Sequence, residues 1–307
     1  MSRASVSVVI ATRDRPELLR EAISAVLAQQ YDGPVHVIVV ADQSEPDHSL
    51  VQSGSQRPDR TVSVILNTRS PGLAGARNSG IDAAEAEFVA FCDDDDYWLP
   101  QKLAQQVAAI QTVPAAGLST CGIRVEYDGD TFERVLDLAE VTFEELLRDR
   151  HTELHPSTFL MRRSVLIRQI GHVDELVPGG FGEDYEFLLR SASVHPIVNV
   201  RQPLTVIRWG KQSFFFRRWE TMAAGLTWLL DRYPEFETSA PGSARVRGQI
   251  AFAHAAMGHR GTALKWAVQA LRRNPREPRT FLAAAVAARV LKPDFVMEQL
   301  HRRGRGI

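Results

Sequence analysis

The sequence predicts an α/β fold on a mostly parallel sheet, followed by an all-α C-terminal extension. Three observations carry this expectation. The first third of the chain alternates apolar runs with amphipathic segments, the pattern of successive βαβ units. Those runs are continuous rather than alternating, as strands covered on both faces are. From about residue 214 the runs give way to alanine-rich helical periodicity.

Each element follows from local pattern. "VSVVIAT" (6 to 12) is the first strand, and "RPELLREAISAVLAQQ" (15 to 30) is a helix with an apolar stripe at Leu19, Ile23, Val26 and Leu27 and Pro16 near its first turn. "VHVIVVAD" (35 to 42) and "TVSVILN" (61 to 67) are the second and third strands. "LAGARNSGIDAAEA" (73 to 86) is a helix and "EFVAFC" (87 to 92) the fourth strand. The middle third, 101 to 212, is less regular: a helix in "PQKLAQQVAAIQ", a hairpin in "EYDGDTFERV" turning on Asp-Gly, then "HPSTFLMRRSVL" and the glycine-rich "VPGGFGEDYEFLLR". The tail reads as helices in "RRWETMAAGLTWLLDRYP", "RVRGQIAFAHAAMGHRGTALKWAVQALRRNP" and "PRTFLAAAVAARVL". Gly258, Ala263, Ala270 and Pro275 have the spacing of one tetratricopeptide-like helix pair. A single such pair cannot cover its own apolar face, so it is expected to pack on the rest of the chain.

Composition bounds the function. With 307 residues, 44% apolar, 24% charged and a net charge of −1, the chain is an ordinary globular one with no electrostatic pull toward nucleic acid. "FLAAAVAA" (281 to 288) is too short to span a bilayer, and no signal-peptide pattern opens the sequence. A cytoplasmic protein without a transmembrane segment is expected, free or peripheral to the inner face of a membrane. Cys92 and Cys121 lack the spacing of a disulfide framework or a thiolate zinc site.

Ligands of parallel sheets sit outside the carboxyl ends of the strands. Strand one ends there in Thr12-Arg13-Asp14, strand two in Asp42-Gln43-Ser44, strand three in Asn67 and strand four in Asp93 to Asp96. Adjacent carboxylates repel unless a cation compensates. Hard divalent cations supply that charge, and Mg²⁺ is commonly held by one or two carboxylates plus substrate phosphates. A solvated acidic turn before Pro100 is the competing reading. Further along, Glu183 and Asp184 open a helix, where acidic residues also serve the dipole.

"AEFVAFCDDDDYWLPQKL" resembles the metal-binding region of family 2 glycosyltransferases with the GT-A fold, a Rossmann-like nucleotide-binding sheet, in which an apolar strand ends in D-x-D. The resemblance covers roughly residues 5 to 212. It implies that Asp95 ligates Mn²⁺ or Mg²⁺, with Asp93 as the second metal residue and a contact to the ribose or sugar, and Asp94 in the donor-binding set. "SVVIATRDRPELL" is similar to the first strand and nucleotide loop, so Thr12, Arg13 and Asp14 border the base. "VIVVADQS" resembles the second-strand motif with Ala41 in place of its first aspartate, which leaves Asp42 to hydrogen-bond the base; Asn67, at the end of strand three, is counted among the donor-binding residues. "PGLAGARNSGIDAAEAEF" matches the helix before D-x-D and puts Arg77 near the diphosphate. The E-D pair of "GGFGEDYEFLLR" implies Asp184 as general base, with Glu183 beside it. His155-Pro156-Ser157 is weighed for the acceptor or metal site, and Arg208, Lys211 or Ser213 for closing over the diphosphate.

The expected protein is therefore an inverting, metal-dependent enzyme that uses a UDP- or dTDP-sugar and a hydroxyl acceptor: a cell-envelope glycan, lipid-linked sugar or natural product, or alternatively a peptide or protein. Residues 1–212 would form the catalytic domain, 1–115 its donor half and 116–212 its acceptor half, with a helical region at 213–307. That helical region is expected to complete the acceptor side or a homodimer contact, with Phe214 to Phe216 as the packing joint. A nucleotidyltransferase is disfavoured because "TRDRPELL" has no glycine. A catalytically dead binding protein would be expected to have lost its aspartates.

Overall fold

The computed structural model describes residues 4–53, 57–209 and 218–301. In chain order the regular elements are β1 (Val6–Thr12), α1 (Pro16–Leu27), β2 (Val35–Ala41), β3 (Arg60–Leu66), α2 (Leu73–Ala83), β4 (Phe88–Phe91), β5 (Tyr97–Trp98) and α3 (Lys102–Gln111). There follow β6 (Leu118–Tyr127), β7 (Asp130–Arg134), β8 (Glu140–Val141), α4 (Phe143–Arg148), β9 (Leu160–Arg162), a short α5 (Arg163–Val165), α6 (Glu183–Val194) and β10 (Ile197–Arg208). The remaining helices are α7 (Trp219–Arg232), α8 (Ala240–Ala256), α9 (Arg260–Arg273), α10 (Pro278–Ala287) and α11 (Pro293–His301).

The strands form one sheet in the order β3-β2-β1-β4-β9-β6-β10-β5, with β7 paired to β6 and β8 to β10. The β3-β2-β1-β4 half is parallel, as the continuous apolar runs require. β3 lies at the edge and alternates buried and less buried positions, whereas every residue of β4 is buried. β9 enters antiparallel between β4 and β6, so the far half of the sheet is mixed. The Asp128-Gly129 turn joins β6 to β7 with positive φ at both residues (52° and 88°), the geometry that a two-residue hairpin needs.

Register decides where the functional edge falls. Thr12 is level with Ala41, and Ala41 with Leu66, so Arg13-Asp14, Asp42-Gln43 and Asn67 leave the sheet side by side. β4 stops earlier, with Phe91 opposite Val9, which brings the aspartate run alongside the last residues of β1. Asp14 and Gln43 have positive φ (54° and 52°) immediately after β1 and β2. Non-glycine residues held there cluster at ligand-binding edges.

The described residues divide into two compact units. The first belongs to Met1–Phe143, His151–Glu175 and Phe187–Gly210 and holds the sheet. Its core joins Val6, Val8 and Ile10 of β1 to Ile23 and Val26 of α1, Phe88 of β4 and Leu103 and Val107 of α3. The second belongs to Glu144–Arg150, Leu176–Glu186 and Lys211–Ile307. Its core is built from small side chains, Ala251, Ala255, Ala263, Ala267 and Ala283 around Phe252. α8 and α9 form a helical hairpin, turning at Gly258 with φ 81°. Among the described residues no helix is long and apolar enough to cross a membrane.

Candidate active site

In the first unit the aspartate run is built into four different sets of partners. Asp93 takes a hydrogen bond at 2.6 Å from Arg77 of α2, and its backbone N–H donates to the Ser157 hydroxyl at 3.0 Å. The Arg77 guanidinium is buried and lies 5.5 Å from the Phe91 ring centre. Asp94 accepts from Thr12 Oγ1 at 2.8 Å and from Arg15 at 3.1 Å. Asp95 accepts from the same Arg15 nitrogen at 2.8 Å. Asp96 is only 2% exposed; it accepts from the Ser157 hydroxyl at 2.5 Å and from the Arg208 backbone N–H at 3.4 Å.

One oxygen each of Asp93 and Asp96 and one ring nitrogen of His155 lie within 4.8 Å of one another. Burial, with Asp93 and Asp95 close by, pushes the Asp96 carboxyl well above the usual carboxylate range. Asp95 is raised by burial and then by Asp93 and Asp94, against the opposing pull of Arg15 and His155. Such a set is short of positive charge. Carboxylate oxygens with one imidazole suit a hard divalent cation of the Mg²⁺ or Mn²⁺ type, so the residues fit a metal.

Ser157 organises this cluster from a distance of 61 residues. Besides its bonds to Asp93 and Asp96, its backbone N–H donates to His155 Nδ1 at 3.3 Å and its carbonyl accepts from Trp98 Nε1 at 2.9 Å. Arg208, at the end of β10, donates to Glu21 at 2.5 Å and lies 4.9 Å from the Tyr97 ring centre. Lys211, Ser213 and Phe214 to Phe216 lie outside the described residues.

The remaining expected donor residues sit along the same edge. Asp42 is buried and accepts from Asn67 Nδ2 (2.8 Å), Gln43 Nε2 (3.0 Å) and the Gly72 backbone N–H (3.0 Å). Burial raises its pKa, but those bonds outweigh it and hold Asp42 below the usual range. Three of roughly four acceptor directions are then taken. A cavity of about 210 Å³ opens beside these strand ends, lined by Thr12, Asp14, Arg15, Ala41, Ser44 and Val64 among others. Arg13 and Asp14 are exposed, 4.0 Å apart.

Glu183 and Asp184 belong to the second unit, at the start of α6. Asp184 is paired with Arg150 at 2.6 Å and accepts from the Tyr185 backbone N–H at 2.7 Å. The guanidiniums of Arg150 and Arg245 are each 5.5 Å from the Tyr185 ring centre. Glu183 is buried.

The family model for glycosyl transferase family 2 matches residues 7–169. The chain belongs to this family. A glycosyltransferase of amylovoran biosynthesis, AmsB of Erwinia amylovora, is 26% identical over 250 residues, covering 75% of this chain and 78% of that protein. An uncharacterized glycosyltransferase of Methanocaldococcus jannaschii is 24% identical over 62% of this chain and 65% of its own length, and one of Nostoc is 35% identical over 37% and 35%. The chain thus spans under two thirds of the length of these last two. Among solved structures, S. aureus TarS 1-349 in complex with UDP-GlcNAc superposes with a TM-score of 0.58 at 18% identity over 98% of this chain and 92% of that one. The mannosyltransferase PcManGT from Pyrobaculum calidifontis, in complex with GDP-Man and Mn²⁺, gives 0.59 at 20% identity over 95% and 82%. At those identities the likeness establishes the GT-A fold.

Sequence reasoning on this family 2 chain overlooked Arg15, Asp96 as a donor atom, and Arg150. Arg15 was findable: it is a second arginine in "TRDRPELL", on the loop facing four carboxylates. The Ser157 and Arg150 contacts are non-local and carry no signal in spacing.

Proposed function

We propose that the protein is an inverting, metal-dependent glycosyltransferase that moves a sugar from a UDP- or dTDP-sugar to a hydroxyl acceptor, such as a cell-envelope glycan, lipid-linked sugar or natural product. The observation that carries this reading is the acidic cluster with His155 at the carboxyl edge of a parallel sheet. That the structural neighbours hold UDP-GlcNAc, or GDP-Man with Mn²⁺, supports it.

In this reading Asp93 and Asp95 would hold the divalent cation, Asp96 and His155 would supply further donor atoms, and Asp93 would also face the ribose or sugar. When bound, the cation supplies positive charge to the leaving diphosphate. Thr12, Arg13 and Asp14 border the base at the cavity, Asp42 offers its last acceptor direction to the base, and Asn67 keeps Asp42 turned toward it. Asp94 anchors the β1–α1 loop of the donor site. Arg77, spent on Asp93, serves the diphosphate by fixing that carboxylate. Asp184, held by Arg150, takes the proton of the acceptor hydroxyl, whose oxygen attacks the anomeric carbon from the face opposite the diphosphate; Glu183 supports the turn that presents it. The donor site is self-contained in residues 1–212 and the helical tail serves the acceptor or a dimer contact.

A thermal-shift panel of nucleotide sugars with Mn²⁺ tests this, because a ligand of the native state raises its melting temperature by mass action. UDP- or dTDP-sugars should shift the transition while CMP- and ADP-sugars leave it in place. A panel with no responsive nucleotide sugar contradicts the reading.

A further inference from the structure

Two guanidiniums face the aspartate run, and they differ in kind. Arg77 is 3% exposed and fixed beneath Asp93. Arg15 is 41% exposed and lies on the loop between β1 and α1. A single nitrogen of Arg15 bridges Asp94 (3.1 Å) and Asp95 (2.8 Å). Its other two guanidinium nitrogens make no hydrogen bond among the described residues, which leaves a donor edge free.

The two carboxylates that share Arg15 are unequal. Asp94 also has Thr12 Oγ1 and the Arg13 backbone N–H. For the Asp95 side chain, Arg15 is the one hydrogen-bond partner among the described residues. Asp95 also lies within electrostatic reach of Asp93 and His155, two members of the Asp93–Asp96–His155 donor set. Asp95 therefore borders that set while its oxygen is turned to a cation of the chain itself.

We propose that Arg15 is a resident cation that competes with the divalent metal for Asp95: it holds that carboxylate in the ligand-free protein and yields it on metal entry, its guanidinium passing to the donor's diphosphate. This rests on the metal-dependent reading above. It has consequences of opposite sign. Removing the guanidinium strengthens binding of the metal alone, because a competitor is lost. It weakens binding of a nucleoside diphosphate to the metal-loaded protein, because a charge-assisted donor is lost.

The experiment measures free Mn²⁺ by electron paramagnetic resonance during titration of the full chain without nucleotide. Arg15→Gln should bind Mn²⁺ about tenfold tighter than wild type, the order expected for removing one charge near a divalent cation at a half-exposed site. At saturating Mn²⁺ its affinity for UDP should fall about tenfold. In an Asp95→Asn background, Arg15→Gln should bring no gain in Mn²⁺ affinity, because the carboxylate being contested is absent. Unchanged or weaker Mn²⁺ binding by Arg15→Gln overturns the proposal, as does an equal gain in the Asp95→Asn background, which would make Arg15 a diffuse charge. Should the glutamine variant misfold by circular dichroism, Arg15→Met carries the same readouts. A wild type that binds no Mn²⁺ even with UDP present refutes the metal reading itself. A wild type that loads Mn²⁺ with UDP, beside an unaltered Arg15→Gln, refutes only the role of Arg15.

Discussion

Lys102 shows how much a single side chain in the first unit is asked to tolerate. It is 0% exposed, its Nζ has no hydrogen-bond partner among the described residues, and it lies 3.8 Å from the Trp98 ring centre. Burial pushes its pKa down to about 8, partly opposed by Cys121 and Cys92. The depressed value means that at pH 7 the folded protein carries a penalty of about 3 kcal/mol relative to the unfolded chain; the indole face returns about 2 kcal/mol. Between about pH 8 and 10.5 the unfolded chain binds more protons than the folded one, so this residue makes stability rise with pH through that window. Lys102→Met should raise the urea midpoint at pH 7 and lose that advantage by about pH 10.5. A constant difference across the range would contradict the assignment. A second residue-scale prediction concerns Asp184, where Asp184→Asn should lower turnover about 10²- to 10⁴-fold with donor affinity little changed. Near-normal turnover would return Asp184 to a helix-start residue stabilised by the dipole.

Among the elements, α2 places the site yet has no amphipathic pattern to announce it. From Ala74 to Ile81 every residue is buried, because small side chains let the helix approach β1 closely. A Cβ on Gly80 would come within 2.2 Å of Val9 Cγ1. Gly80→Ala should cost about 1–3 kcal/mol through overpacking, seen as a lower urea midpoint at unchanged slope, and an unchanged midpoint would mean that α2 has slack. The parallel strands β1 to β4 were legible because each is a continuous apolar run ending in polar residues, and the same endings put Thr12, Asp42, Asn67 and Asp93 at one edge of the sheet. β9 was not legible as an insertion: three residues that pair with β4 and β6 carry no local signal of their partners. For the same reason His155 and Ser157, which enter with the turn before β9, were only weakly readable as neighbours of the aspartate run.

For the whole molecule, the second unit draws on sequence from both sides of residue 212. Within it, a Cβ on Gly242 of α8 would meet the Leu147 carbonyl oxygen at 1.7 Å, and one on Gly225 of α7 would meet the Phe181 carbonyl at 2.3 Å. Tyr185 packs edge-on against Phe236 at 6.1 Å and receives a hydrogen bond from Arg245 at 2.8 Å. A chain ending near residue 212 therefore uncovers Leu146, Leu147 and Tyr185, all buried here, and should self-associate in sedimentation. A monodisperse truncated protein with full acceptor turnover would make the tail dispensable. In the proposed function the Asp93–Asp96 run holds a cation whose other partner is a nucleotide diphosphate. Calorimetric titration of UDP and dTDP into the full chain, with Mn²⁺ and then with EDTA, tests it most directly. The account predicts binding of at least one nucleotide that disappears with EDTA and is lost in Asp95→Ala; equal affinity with and without the metal, or normal binding by that variant, would contradict it.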